Sequence, residues 1–211
     1  RRTPMDPTAL ALGFGKSFLF VLATILPILN PAASSAMVLG LTQGASPETR
    51  RVLAGRVARN VFLLLLGAML VGSYVLELFG ISLPIVRVGG GLIVAATAWR
   101  LLNADHHTRD SREALAEGFT LDHVQRQAFY PLTFPMTCGP GSITAAITVG
   151  VTLPDGDWAL TTARVGGGVA ALVLLGAAVY LAHRYAQQLL RLLGETGTIV
   201  FLRLSAFILL C

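Results

Sequence analysis

The sequence predicts an all-α membrane protein of six transmembrane helices, built as two inverted three-helix repeats in which the first and fourth helices are broken. Three observations carry this expectation. Of the 211 residues, 54 % are hydrophobic and only 13 % charged, whereas soluble domains carry about 25 % charged residues. Two long stretches, Ser17 to Pro47 and Gln127 to Pro154, contain no Asp, Glu, Lys or Arg, and each is interrupted by proline beside asparagine or glycine. The interruptions are related by one offset: adding 109 takes Pro31 to Pro140 and Gly67 to Gly176.

Each span needs about 20 apolar residues, and six such segments can be placed in order. The first is about 14–43, interrupted at Pro27, Asn30 and Pro31. The second is about 58–78, preceded by Ser46-Pro47-Glu48, where Ser46 is a natural N-cap and Pro47 suits the first helical position. The third is about 81–103. The fourth is about 128–151, interrupted at Pro135, Gly139, Pro140 and Gly141. Leu153 to Trp158 reads as a turn into a fifth span at about 160–182, with Trp158 at the membrane interface. The sixth starts near 197, and its short apolar run predicts that the sequence stops inside that helix. The whole is read as one membrane domain: repeat one at about 14–103, a cytoplasmic loop at about 104–127, and repeat two at about 128–211.

Basic residues set the orientation. The first, third and fifth loops hold ten arginines, against Arg1, Arg2, Lys16 and Arg164 on the other side. Cytoplasmic loops carry the excess, so the three basic loops are expected inside and both termini outside. Three spans per half is an odd number, so the second copy enters from the opposite face. The correspondence extends to Arg87 and Arg203 only with a seven-residue insertion. A competing match of Arg87–Gly91 with Arg164–Gly168 at an offset of 77 places Pro27 and Pro31 opposite a polar loop; it reads as two small-residue packing faces.

The same pattern bounds function. A net charge of +5 carried by loop arginines points to neither nucleic acid nor an acidic substrate. Arg1 and Arg2 precede an apolar run too long for a signal peptide, with no clear cleavage site. Cys138 and Cys211 are too few for a disulfide framework. The position equivalent to Cys138 is Leu29, so thiol–disulfide electron transfer lacks its second thiol. His106 and His107 sit in the polar stretch Asn103–Arg126, where adjacent histidines are ordinarily solvated. No His–acid pair or metal-ligand spacing falls within the spans, and neither enzyme chemistry nor a cofactor is expected.

The breaks are where chemistry is expected. Irregular backbone at membrane depth persists only where protein or a cavity covers it. The half-helix after each break begins with free N–H groups and a positive dipole end. Pro31 to Ser35 and Pro140 to Thr144 are those starts. Carbonyls freed near Pro27 to Asn30 and Thr137 to Gly139 complement them, so a small zwitterion suits the site. The candidate substrate-binding residues are Asn30, Pro31, Ser34, Ser35, Thr137, Gly139, Pro140, Gly141, Ser142 and Thr144. Arg87, about seven residues into the third span, is a further candidate; a structural role beside Glu77 is the other reading. Two proline kinks packed against neighbours is the alternative to a binding site.

These residues resemble a known family. Asn30-Pro31 followed by small residues, Leu41-Thr42-Gln43-Gly44, the Gly80–Gly91 segment and the Pro131–Thr144 segment are similar to the motifs of the MarC family, which includes SnatA-type transporters of small neutral amino acids. The resemblance implies a six-span inner-membrane protein of bacteria or archaea, related to LysE-type exporters, with glycine and alanine as plausible substrates. Thr137-Cys138-Gly139-Pro140-Gly141-Ser142 departs from the family's Ala-Gly-Pro-Gly-Ala. The expected function is a secondary transporter with a midplane site at the two broken helices. The coupling ion, H+ or Na+, stays open, as does oligomeric state. The alternative is a channel, or a membrane scaffold or sensor that transports nothing.

Overall fold

The computed structural model describes residues 7–42, 45–102 and 128–210. The polar stretch Asn103–Arg126, with His106 and His107, and the terminal Arg1, Arg2 and Cys211 lie outside them. Every regular element among the described residues is helical: α1 (Pro7–Leu29), α2 (Pro31–Leu41), α3 (Pro47–Leu78), α4 (Leu83–Leu102), α5 (Pro140–Thr152), α6 (Trp158–Arg184) and α7 (Ala186–Leu210), with a wide-turned segment at Ala128–Thr137.

Helix α1 buries Gly13, Ser17, Val21, Ile25 and Leu29, one residue in every four, as a single stripe. It turns Leu12, Leu19, Phe20 and Leu26 outward. The helix starts at Pro7, earlier than the apolar pattern suggested. Pro27 does not end it: the chain stays helical until Asn30, whose N–H still donates to the Leu26 carbonyl at 3.0 Å. Helix α3 starts as the sequence predicts. Ser46 accepts from the Thr49 N–H at 3.1 Å, and Pro47 occupies the first turn. At 32 residues it is about 48 Å long, more than the ~30 Å hydrocarbon core, so the turns bearing Arg50, Arg51, Arg56 and Arg59 extend past the apolar span. Asp157 caps α6, accepting from the N–H groups of Ala159 at 2.7 Å and Leu160 at 3.3 Å. Helix α7 bends sharply at Gly194 (φ 67°, ψ 179°), a left-handed region that glycine enters freely.

Helices α3 and α6 form the centre. Val57, Val61 and Leu65 meet Leu172, Leu175 and Val179 in one core with Val21 and Ile25 of α1. Two glycines permit the closest approaches. A side chain at Gly167 would meet the Phe14 carbonyl, and one at Gly150 would meet the Met69 carbonyl. Small residues at such crossings replace the hydrophobic drive that lipid removes. The outward faces stay apolar: Leu70, Tyr74 and Leu78 on α3, Ile85, Val88 and Leu92 on α4, Val173 and Leu181 on α6. Among the described residues, three helices are long and apolar enough to cross a membrane: Pro7–Gly40 counted through its break, Pro47–Leu78 and Trp158–Arg184; Leu83–Ala96 and Pro140–Thr152 are shorter apolar helices.

Candidate functional site

The first break is one residue wide. Asn30 sits in the left-handed region (φ 40°, ψ 68°), which asparagine enters more easily than most side chains. Its side-chain oxygen accepts from the Ala33 N–H at 3.3 Å and its carbonyl from the Ser34 N–H at 3.1 Å. Pro31 then opens α2, whose 11 residues extend about 16 Å, roughly half a membrane.

The second break is ten residues wide. Tyr130 and Phe134 are extended rather than helical, at φ −120° and −114°, because each precedes a proline that crowds the helical region. Both X-Pro bonds are cis. The sequence here is a tandem, Tyr-Pro-Leu-Thr then Phe-Pro-Met-Thr. Each threonine closes a wide turn: Thr133 Oγ1 donates to the Ala128 carbonyl at 2.6 Å and Thr137 Oγ1 to the Leu132 carbonyl at 2.8 Å, both five residues back. Gly139 leads into α5 in extended conformation without a side-chain cap, and its carbonyl accepts from Ser142 and Ile143. The Gly141 N–H, one of the orphan donors of a helix start, meets no acceptor among the described residues.

Both half-helix starts border one cavity of about 360 Å³, near the lower end for small-molecule sites. Of the residues singled out from sequence, Asn30, Ser34, Thr137, Gly139, Pro140, Gly141 and Ser142 line it. Met37, Ile93, Val94 and Met136 supply apolar wall, and among the described residues no charged side chain lines it. Four candidates lie elsewhere. Pro31 is at the first turn of α2 without lining the cavity. Ser35 lines a separate small cavity with Thr42, Arg50 and His183. Thr144 packs on Gly90 of α4. Arg87 is exposed; its Nε donates to Thr148 at 3.4 Å, in place of the expected pairing with Glu77.

The hydroxyls are not equivalent. Ser34 donates to the Pro31 carbonyl at 3.1 Å, Ser35 to Ala32 at 2.8 Å and Thr144 to Pro140 at 3.0 Å. A hydroxyl that has given its hydrogen away offers only lone pairs. Ser142, 2 % exposed, makes no side-chain hydrogen bond among the described residues and so keeps its donor. The cavity therefore presents donors at the start of α5, from Gly141 N–H and Ser142 O–H. It presents acceptors at Ser34 and Thr137, while Asn30 carries an amide beside them.

Three features were not anticipated from sequence. Gly141 packs α5 against α4: any side chain there would meet Val94. Asn60 of α3 reaches Thr133 at 3.4 Å and so ties the wide segment to the core. His183 is buried at the end of α6 and contacts Thr137; its signal was a lone ionisable residue beside an apolar run.

Comparison with known proteins agrees with the motif resemblance. Residues 15–211 match the family described as MarC family integral membrane protein. The UPF0056 inner membrane protein MarC of Salmonella arizonae is 32 % identical over 209 residues, covering 95 % of this chain and 89 % of that protein. Its namesake in Escherichia coli O1:K1 is 33 % identical with the same coverage. No solved structure matches. With the family match covering nearly the whole chain and relatives above 30 % identity over 95 % of it, the protein belongs to the MarC family of integral membrane proteins.

Proposed function

We propose that this protein is a secondary transporter, not an enzyme, which carries a small neutral amino acid of glycine or alanine size across the cytoplasmic membrane. The observation that carries the reading is that Ser142, whose hydroxyl makes no side-chain hydrogen bond among the described residues, and the Gly141 N–H border the same 360 Å³ cavity as Ser34 and Thr137. A carboxylate suits the donor side, where the α5 dipole adds positive potential. An ammonium suits the acceptor side at Ser34 and Thr137. The lining among the described residues is uncharged, which fits a zwitterion, whose own charges cancel.

Six spans in two inverted halves is part of the proposal. Supporting it, packing recurs in matched pairs: α2 on α6 and α5 on α3, α2 on α7 and α5 on α4, α1 on α5 and the wide segment on α2. Helices α3 and α6 pack on each other, as do α4 and α7. A two-fold relation between residues before and after the polar loop produces such pairs, and an odd span count makes it inverted. An inner-membrane location follows the relatives' names, and arginine-rich loops favour cytoplasmic α3 and α6 ends with the termini outside.

Counterflow of labelled alanine and glycine in proteoliposomes tests the function. Saturable exchange that excess unlabelled alanine competes is the expected result. Unsaturable flux would favour a channel, and no flux a scaffold or sensor.

A further inference from the structure

Lys16 is the single lysine of the chain; every other basic side chain among the 16 lysines and arginines is arginine. It is exposed on α1 and makes no ion pair or hydrogen bond among the described residues. It lines a groove of about 490 Å³ between the starts of α1 and α6, with Ser17 and Phe20 of its own helix and Leu160 and Arg164 of α6. Gly13 lets the two helices close on each other there, since a side chain at that position would meet Leu160. Arg164 pairs with Asp155 through one nitrogen at 2.8 Å; a guanidinium carries five N–H donors, so others face a second anion. Asp157, the other acid of that turn, accepts from the N–H groups of Ala159 and Leu160. Ser17 is 7 % exposed. A helical hydroxyl often donates to a carbonyl about one turn back, as Thr152 in the same groove donates to Val149 at 2.7 Å. Ser17 makes no side-chain hydrogen bond among the described residues and so keeps its donor. With Arg164 and Asp155 cancelling, the groove holds one net positive charge and donors from an ammonium, a guanidinium and a hydroxyl.

We propose that this groove holds the phosphodiester of a membrane lipid with one net negative charge, such as phosphatidylglycerol, between Lys16, Ser17 and Arg164. Depth selects a lipid over a soluble phosphate. On one side of the break at Asn30, α2 fills about 16 Å, one half of the hydrocarbon core. On the other side Lys16 lies about four turns of α1 from Asn30, about 21 Å along the axis. Half a bilayer is about 15 Å of hydrocarbon and about 20–22 Å with its head groups, so Lys16 stands at head-group level. Phe20, one turn deeper and 46 % exposed, lies where the acyl chains begin. Trp158, 66 % exposed at the start of α6, marks the same interface. Charge selects the lipid class: phosphatidylethanolamine and phosphatidylcholine bring no net charge to a groove that carries +1. Residues 103–127 join the end of α4 to the wide segment, whose Thr137 meets His183 at the far end of α6, whereas the groove lies at the start of α6. The groove shares no lining residue with the large cavity, so the proposal stands apart from the transport reading. Such a lipid spans α1 and α6, which come from opposite sides of the polar loop, and so ties the two parts of the chain together.

The test titrates the full chain, in a neutral detergent, with phosphatidylglycerol or phosphatidylcholine and counts bound lipid by native mass spectrometry. One phosphatidylglycerol should bind about fivefold or more tightly than phosphatidylcholine, the difference one cation near a membrane surface makes. Lys16→Gln should remove that preference, and Ser17→Ala should weaken binding about two- to threefold. Arg87→Gln, an exposed arginine near the start of α4 and outside the groove, should change it less than about twofold. Because Lys16 has no partner among the described residues, its loss should leave the lipid-free melting temperature unchanged. Should Lys16→Gln nevertheless misfold, the wild type carries the test: lysine labelled at Cε reports on Lys16 alone, and its resonance should move with phosphatidylglycerol and stay with phosphatidylcholine. Equal binding of the two lipids, an undiminished preference in folded Lys16→Gln, or a Lys16 resonance that phosphatidylglycerol leaves in place would each overturn the proposal. Displacement of the lipid by millimolar inorganic phosphate would also overturn it, since the groove would then be a site for soluble anions.

Discussion

The two breaks do one job by opposite means. At Asn30 the turn is made by a single left-handed residue whose own side chain satisfies the new helix start at Ala33. At residues 128–139 the turn is spread over two prolines, two threonine hydroxyls and a glycine, and the helix start at Gly139 is left without a side-chain cap. The first break closes its donors; the second leaves Gly141 and Ser142 open to the cavity. A site assembled from two identical breaks would hold both ends of a zwitterion equally badly. The difference gives the cavity a donor wall and an acceptor wall.

The largest expected effect comes from removing the one-residue turn. Asn30→Ile loses the side-chain bond to Ala33, worth about 1 kcal/mol, and forces a β-branched residue into left-handed backbone at about 1–2 kcal/mol more. The expected loss is about 2–3 kcal/mol, seen as a lower melting temperature in detergent. Asn30→Gly keeps the turn and should lose only a few tenths of a kcal/mol relative to the wild type. Equal destabilisation by the two variants would show that the backbone conformation at residue 30 is not what holds the break.

The wide segment should answer to its threonines. Thr133 is fully buried and gives its hydrogen to Ala128 while accepting from Asn60. Thr133→Val removes the hydroxyl and takes a partner from both, at about 1–3 kcal/mol. Asn60→Leu should recover part of that loss in the double variant, because the pair shares one contact. Additive losses would mean that the 3.4 Å contact contributes nothing.

How much of this was legible depends on what each residue's signal reaches. Asn-Pro and Gly-Pro inside uncharged stretches announce the breaks, since proline removes a donor and restricts its predecessor. The 109-residue offset relates them but says nothing of their unequal chemistry. Pro27 looked like part of the first interruption, yet it is exposed on α1, whose turns accommodate it. The tandem Tyr-Pro-Leu-Thr, Phe-Pro-Met-Thr was in plain view, but hydroxyls bonding five residues back depend on the extended backbone at Tyr130 and Phe134, which hydrophobic periodicity does not reveal. Arg87 was matched to Glu77 by nearness in sequence, whereas α4 packs on α5 and brings Thr148 closer. His183 fell one residue outside a span ended at 182, although α6 runs to Arg184. Gly141 was singled out only as a substrate-binding candidate; its neighbour Val94 lies on another helix and no pattern connects the two.

Within the cavity, the contrast between walls can be sharpened by paired serines. Ser142→Ala removes a free donor and should weaken alanine binding by about 0.5–1.5 kcal/mol, about two- to twelvefold in the competing concentration measured by counterflow. Ser34→Ala removes an oxygen whose hydrogen is already given to Pro31 and should cost less. The order reversed would place the carboxylate on the α2 side and exchange the roles of the two breaks.

The smallest effect is expected at the arginines of the third helices, and it tests the halves rather than the breaks. Arg87 on α4 and Arg203 on α7 are both exposed, and α4 packs on α5 as α7 packs on α2. Neither lines the cavity. Arg87 makes one long contact, 3.4 Å to Thr148, and exposed polar contacts of this kind contribute little. Arg87→Lys keeps the charge while losing the planar fork, so counterflow should change by less than about twofold, and Arg203→Lys should behave alike. A loss of tenfold or more in Arg87→Lys alone, with the folded fraction unchanged, would mean that α4 brings Arg87 to the substrate in another state of the cycle. It would also mean that the half holding the first break does more than mirror the half holding the second.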